Sequence, residues 1–264
     1  MTAFKNLLVE SVEPGISIIK INRPTVLNAL NSETIRELRD ALRAESLNPA
    51  TRVVILTGEG DKSFIAGADI AEMKDKGFAE GTEFAQLGHE VTKLLDLMPK
   101  PTIAAVNGFA LGGGTEMAIS CDFIVASDKA LFGQPEVALG IIPGFSATIR
   151  LAKFVGLPRA KELIFSGRRI KAEEAKAIGL VNHIYPAQDF MKQVLELAKQ
   201  IAENSLPAVA RAKQLMNEFS ESVGLNQKLD AEAHAFGRFF GTADQREGMT
   251  AFLDKRKAKF KGLA

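Results

Sequence analysis

The sequence predicts an α/β core followed by an all-helical region. Over the first two thirds, short apolar runs alternate with amphipathic ones, the pattern of strands interleaved with helices in one layered core. Glycine and proline punctuate those runs, as turns between packed elements require. From about Asp189 onward there are helical patterns and no strand run. A chain of 264 residues has room for one large core and a smaller appendage. The change of pattern divides it into a core of residues 1–190 and a helical region of residues 191–264. Alternation alone leaves open whether the core is a doubly wound sheet or a coil of β-β-α turns.

Each element has a local reason. Gly15 is followed by Ile16, Ile18, Ile19 and Ile21, a strand-like run that stops at Asn22-Arg23-Pro24. Asn31 or Ser32 then offers a helix N-cap. Ile35, Leu38 and Leu42 follow at helical spacing. Residues 52–57 read as a buried strand stopped by Gly58. Phe84, Leu87, Val91, Leu94 and Leu95 mark another helix, ended by Pro99 and Pro101. Residues 102–106 are the next strand. A short helix through Ser120 follows Gly112-Gly113-Gly114, and residues 123–126 are again strand-like. Thr242 and Gln245 form a capping pair that opens a final helix, with Met249, Phe252 and Leu253 on one face. An apolar stripe in such a tail needs a partner surface, either the chain's own core or another subunit.

Composition excludes several classes of function. The charges nearly cancel, at a formal +1, so no broad basic field recommends nucleic acid or an anionic membrane. The cluster Lys255, Arg256, Lys257, Lys259 and Lys261 reads as a solvated helix face. Cys121 is the one cysteine, so no internal disulfide forms; its apolar neighbours predict a small core residue. His89, His183 and His234 lie far apart and make no metal-ligand unit. The first ten residues carry Glu10 and too short an apolar run for a signal peptide. No apolar run approaches a membrane span. The expectation is a cytoplasmic protein.

Familiar catalytic loops fail on spacing. Gly58-Glu59-Gly60-Asp61-Lys62-Ser63 puts one residue between its glycines and a carboxylate before the lysine; a phosphate loop needs four residues there and Gly-Lys-Ser/Thr adjacent. Gly144-Phe145-Ser146-Ala147-Thr148 lacks the second glycine of a nucleophile elbow, so Ser146 reads as a helix-start residue. No early strand leads into G-x-G-x-x-G.

Two segments carry chemistry. Residues 100–116 run a strand into Gly112-Gly113-Gly114 and then a helix, with Glu116 in its first turn. Glycines let backbone approach a ligand closely, and the first amides of a helix are unpaired donors backed by the dipole. The plain alternative is a tight turn whose glutamate suits the dipole. In the second segment, Phe132-Gly133-Gln134-Pro135-Glu136 sets a carboxylate between apolar flanks near the helix start at Gly140-Ile141-Ile142-Pro143-Gly144. Apolar surroundings raise a carboxyl pKa and suit it to deliver a proton near neutral pH. The plain alternative is an ordinary loop glutamate.

A third segment, Ser63-Phe64-Ile65-Ala66-Gly67-Ala68-Asp69-Ile70, joins these two. Together the three closely resemble the crotonase, or enoyl-CoA hydratase/isomerase, family. The resemblance extends from Asn22-Arg23-Pro24 and Asn28-Ala29-Leu30, through Ala177-Ile178-Gly179-Leu180-Val181, to Glu247-Gly248-Met249-Thr250-Ala251-Phe252. It implies a right-handed superhelix of β-β-α turns with a C-terminal helical trimerisation region. It further implies an enzyme that adds water reversibly, in syn fashion, across the double bond of a trans-2-enoyl-CoA to give a 3-hydroxyacyl-CoA. By resemblance the backbone amides of Ala68 and Gly113 hold the thioester oxygen. Glu136 exchanges a proton with carbon 2, and Glu116 positions and polarises the water that attacks carbon 3. Two carboxyls sharing one water titrate as a coupled pair. Coenzyme A is expected to meet Ala66, Ala68, Asp69 and Ile70 through this segment and Lys62 near the nucleotide phosphates. No metal or redox cofactor is implied, coenzyme A being part of the substrate. The implied assembly is a homotrimer or a dimer of trimers. Double-bond isomerisation and a non-catalytic RNA-binding role are the alternatives; two retained glutamates and balanced charge argue against them.

The sequence departs from the family pattern twice. Ala71 stands where the family often has a lysine, so Lys74 is the candidate replacement. After Pro143-Gly144, Phe145-Ser146-Ala147-Thr148-Ile149-Arg150-Leu151 stands where hydratases usually show a glycine pair and then Thr-Gln-Arg-Leu. Side chains there put the acyl pocket's length and shape in question.

Overall fold

The computed structural model describes residues 4–219, 225–240 and 242–260. The chain opens with β1 (Leu7–Glu13) and β2 (Ile16–Ile21), then α1 (Ser32–Leu47), β3 (Val53–Gly58), β4 (Ser63–Ile65), α2 (Ile70–Met73) and α3 (Phe78–Leu97). The middle runs β5 (Thr102–Val106), β6 (Phe109–Leu111), α4 (Gly113–Ala118), β7 (Phe123–Ser127), β8 (Leu131–Gly133), a 3-10 turn at Glu136–Leu139, α5 (Ala147–Val155), α6 (Leu157–Ser166), β9 (Arg169–Lys171), α7 (Ala172–Ala177) and β10 (His183–Tyr185). Four helices close it: α8 (Phe190–Ala202), α9 (Leu206–Phe219), α10 (Leu225–Phe239) and α11 (Ala243–Leu253).

Two sheets organise these elements. One has the order β1-β2-β3-β5-β7-β10, and the other β4-β6-β8-β9. The β1-β2 hairpin is antiparallel, and β2, β3, β5, β7 and β10 are parallel neighbours. Consecutive strands therefore leave one sheet for the other before a helix returns the chain: β3-β4-α3, then β5-β6-α4. This decides between the two architectures that alternation left open: the core is a coil of β-β-α turns.

The inner strands β2, β3, β5 and β7 of the large sheet are buried on both faces, and their period of 2 sorts the side chains. Ile19, Ile21, Val54, Leu56, Ala104, Val106, Ile124 and Ala126 face the interior of the coil. Ile16, Ile18, Val53, Ile55, Ile103, Ala105 and Val125 face the opposite way, under Phe190, Val194 and Ala198 of α8. The first helix of the all-helical region is thus part of the core packing.

Local signals account for the helix starts. Asn31 is the N-cap of α1, and its side chain accepts from the Thr34 amide at 2.8 Å. Ser32 is the first helical residue, with its amide and hydroxyl both directed to Glu72. The Thr242 hydroxyl accepts from the Gln245 amide at 3.2 Å, one half of the expected capping pair; the Phe252 side chain and Lys261 lie outside the described residues. Cys121 is buried, as its apolar neighbours predict. Among the described residues no helix is long and apolar enough to cross a membrane.

Candidate active site

Three loops meet where the sheets deliver them. The loop after β4 is pinned to the chain after β2: the Leu30 amide donates to the Gly67 carbonyl at 2.8 Å, and the Asp69 amide to the Leu30 carbonyl at 2.8 Å. This parallel bridge leaves the Ala68 amide without a backbone acceptor among the described residues. The second loop is the turn from β6 into α4. Gly112 is its N-cap with φ +50°, and a Cβ there would lie 2.5 Å from Glu136 Oε1. Gly114 packs so closely on β4 that a Cβ would lie 1.9 Å from the Ile65 carbonyl oxygen. Glycine is required at both for these reasons. The Gly113 amide belongs to the first turn of α4, where donors have no intrahelical partner. A Cβ on Gly113 would lie 3.7 Å from the Ala68 nitrogen, so the two residues stand side by side.

Glu116 is almost wholly buried, at 1% exposed. Its Oε1 accepts from the Phe145 and Ala147 amides, each at 2.8 Å. The third loop, after β8, carries Glu136 at the start of the 3-10 turn. With the Gln134 amide nitrogen turned toward Glu136, the orientation that hydrogen-bond complementarity favours, it donates at 3.0 Å to each carboxylate oxygen. Burial pushes the Glu116 carboxyl up to about 7; Ala147 and Phe145 pull it down, while nearby Glu136 raises it further. Burial likewise pushes Glu136 up to about 7. Two carboxyls poised near neutrality in one site can divide the work of acid and base.

Both glutamates line a cavity of about 890 Å3 together with Ala66, Ala68, Ile70 and Gly113. Its walls include Phe84, His89 and Phe145, and its mouth carries the exposed apolar residues Phe78, Leu139 and Ile142. An apolar cleft with a few convergent polar groups suits a small-molecule substrate with an apolar reacting end. Among the described residues no group of His, Cys, Asp and Glu could hold a metal ion.

Comparison with known proteins agrees with this geometry. Residues 11–263 match the family model described as Enoyl-CoA hydratase/isomerase. The chain belongs to the enoyl-CoA hydratase/isomerase family. A relative in Syntrophomonas wolfei, named crotonyl-CoA hydratase, is 47% identical over 258 residues, covering 98% of each chain. A short-chain-enoyl-CoA hydratase of Clostridium acetobutylicum is 48% identical over 252 residues, covering 96% of each. The crystal structure of an enoyl-CoA hydratase from Bacillus anthracis superposes with a TM-score of 0.95 at 38% identity, covering 98% of this chain and 100% of that one.

In this enoyl-CoA hydratase/isomerase family member, Lys62 and Asp69 stand apart from the other sequence-predicted site residues. Asp69 pairs with Arg23 at 3.1 Å and accepts from the Ala71 amide at the start of α2. Lys62 is exposed and outside the cavity lining. Lys74 lies 3.8 Å from Asp75, also outside the lining. The sequence reading missed the Phe145 and Ala147 amides as the support of Glu116. The available signal was a second helix start beside a family carboxylate, since such starts present free donors.

Proposed function

We propose that this chain is an enoyl-CoA hydratase, a hydro-lyase that adds water reversibly across the double bond of a trans-2-enoyl-CoA. The observation that carries this reading is one cavity holding Glu116, Glu136 and the paired Ala68 and Gly113 positions. The thioester oxygen sits between the two amides. As carbon 2 gains carbanion character, negative charge builds on that oxygen, and fixed donors stabilise it without reorganising. Anionic Glu116 orients and polarises the water attacking carbon 3 and takes the proton that water loses as its oxygen bonds to carbon 3, while Glu136 in its acid form delivers a proton to carbon 2 and is left as the carboxylate. The reverse reaction exchanges the two protonation states. Gln134 positions Glu136 by holding its carboxylate. Two glutamates in one site favour hydration over double-bond isomerisation, which needs one. The acyl-CoA thioester is the substrate, and the chemistry needs no cofactor beyond it.

The names of the Syntrophomonas and Clostridium relatives support a short-chain substrate. Phe84 and Phe145, packed with ring centroids 5.4 Å apart, fill part of the cavity wall. In this reading the assembly is a homotrimer or a dimer of trimers built through the helices after α8, because α8 is already spent on the sheet. The exposed Phe236, Phe240, Met249 and Leu253 supply the apolar surface for it. A buried, unpaired cysteine suits a reducing compartment, and we take the cytoplasm as the setting. The test is loss of the conjugated-thioester ultraviolet absorbance of crotonyl-CoA, comparing wild type with Glu136→Gln. Turnover in wild type that collapses in a folded variant is expected; no turnover in wild type overturns the short-chain assignment.

A further inference from the structure

Ser146 occupies a backbone conformation that a serine rarely adopts. Its φ is +103° and its ψ +7°, in the left-handed region that favours glycine and strains other residues. It does not cap α5, although it stands at the N-cap position. Two features of the structure explain why a serine is held there.

The first is the convergence of its neighbours' amides. Phe145 N and Ala147 N both donate to Oε1 of Glu116, at 2.8 Å each. Amides two residues apart meet on one oxygen when the residue between them turns the chain into a concave nest. The left-handed backbone of Ser146 makes that turn. The second feature is an anchor. Ser146 Oγ accepts from Arg150 Nε at 3.1 Å, and Arg150 Nη1 donates to Asp96 Oδ2 at 2.8 Å. Asn217 Nδ2 in turn donates to the Asp96 carbonyl and carboxylate at 2.9 and 3.1 Å. The chain of contacts runs from α9 and α3, through α5, to the turn that grips Glu116.

We propose that Ser146 is a positioning residue for Glu116: its hydroxyl, held by the Arg150–Asp96 pair, locks the turn that aims two amides at one oxygen of that glutamate. The inference rests on the reading of Glu116 as the group that handles water. A glycine would adopt the turn without strain but would offer Arg150 nothing to hold. The titratable groups around Glu116 are Glu136, facing it from the 3-10 turn, and His89 of α3 on the same cavity wall. Neither touches Ser146 by any described hydrogen bond. The two amides favour the charged form of Glu116, so loosening the turn moves its deprotonation to higher pH.

The test is the pH profile of crotonyl-CoA hydration for Ser146→Ala, Ser146→Gly, Arg150→Gln and the double variant Ser146→Ala/Arg150→Gln, each checked for fold by circular dichroism. Ser146→Ala is expected to lower kcat about fivefold, the worth of one hydrogen bond, with KM nearly unchanged and the acid limb moved to higher pH. Arg150→Gln is expected to reproduce this, and the double variant to be no worse than the worse single one. In a Glu116→Gln background, Ser146→Ala is expected to have no further effect on the residual rate. Ser146→Gly keeps the test alive if the alanine variant does not fold, and shares the expected loss. Wild-type kcat and acid limb in folded Ser146→Ala or Ser146→Gly would overturn the proposal alone, as would a Ser146→Ala loss that persists undiminished in Glu116→Gln. A wild-type rate in Glu116→Gln itself would overturn the assignment of Glu116, and this proposal with it.

Discussion

Glu116 and Glu136 are costly residues to bury, and that cost makes their role testable apart from turnover. Burial holds both carboxyls near 7 in the folded chain, far above their value in an unfolded one. Between those two values the folded state binds more protons than the unfolded state, so stability falls as pH rises through the window from about 4.5 to about 7. Above it the full penalty is present. Glu116→Gln keeps an acceptor for the Phe145 and Ala147 amides but carries no charge. It is expected to unfold later in denaturant than wild type at pH 8, by on the order of 2 kcal/mol, and the difference should vanish near pH 4. The same variant should lose about 10²–10⁴ in hydration rate, the usual worth of a positioned acid or base. A variant that is both more stable at pH 8 and nearly inactive would mark Glu116 as a group kept for chemistry; equal stability at both pH values would show its environment to be wetter than its burial implies. With the roles proposed above, one glutamate charged and the other protonated, the pair also predicts a bell-shaped kcat/KM centred near neutrality, whose two limbs belong to the pair together.

At the scale of elements, α3 is the wall against which the site is built. Gly88 on that helix lies under the Phe145 ring, and a Cβ there would come within 2.2 Å of it. The ring is 3% exposed and packed on Phe84, so it has little freedom to move away. Gly88→Ala is expected to destabilise by about 1–3 kcal/mol through overpacking and to lower kcat, since displacing Phe145 displaces an amide that holds Glu116. Gly81→Ala on the same helix meets nothing within 4 Å and should be neutral or stabilise by up to about 1 kcal/mol; thermal melting of the two variants checks the contrast in stability, and crotonyl-CoA turnover of Gly88→Ala checks the loss of kcat. The elements themselves were legible in sequence because each is a local matter: the isoleucines of β2 alternate, Asn31 caps, and prolines close α3. The Gly112-Gly113-Gly114 turn and its glutamate were legible too, because close approach leaves a composition mark. The grip of residues 145–147 on Glu116 was not, since it joins segments 29 residues apart through backbone amides that any residue could supply. The partners of the Asp69 carboxylate were not legible for the same reason: the fold gives it to Arg23, 46 residues away in sequence, as well as to the start of α2.

At the scale of the whole molecule, the helical region must be fastened to the coil, and Lys213 of α9 is one of the polar ties. It is 6% exposed, and its ammonium donates to the Leu95 and Lys100 carbonyls and to Asp122 Oδ2, at 3.0, 3.2 and 3.0 Å. Asp122 also accepts from the Thr102 amide and hydroxyl. Burial pushes the Asp122 carboxyl up, and Lys213 and Thr102 pull it back. Such a pair adds little net stability over apolar packing, but removing one partner strands the other. Lys213→Met is therefore expected to destabilise by on the order of 3 kcal/mol, more than the loss of one surface ion pair could explain. Lys213→Met/Asp122→Asn should recover part of that loss, because no unpaired charge is left behind. Denaturant unfolding of wild type, Lys213→Met, Asp122→Asn and the double variant at one fixed concentration separates the cases, concentration being held because assembly contributes to apparent stability. Recovery in the double variant identifies the stranded carboxylate as the cause. Strict additivity would mean instead that the two side chains act through separate contacts, and that α9 is held to the coil mainly by its apolar face.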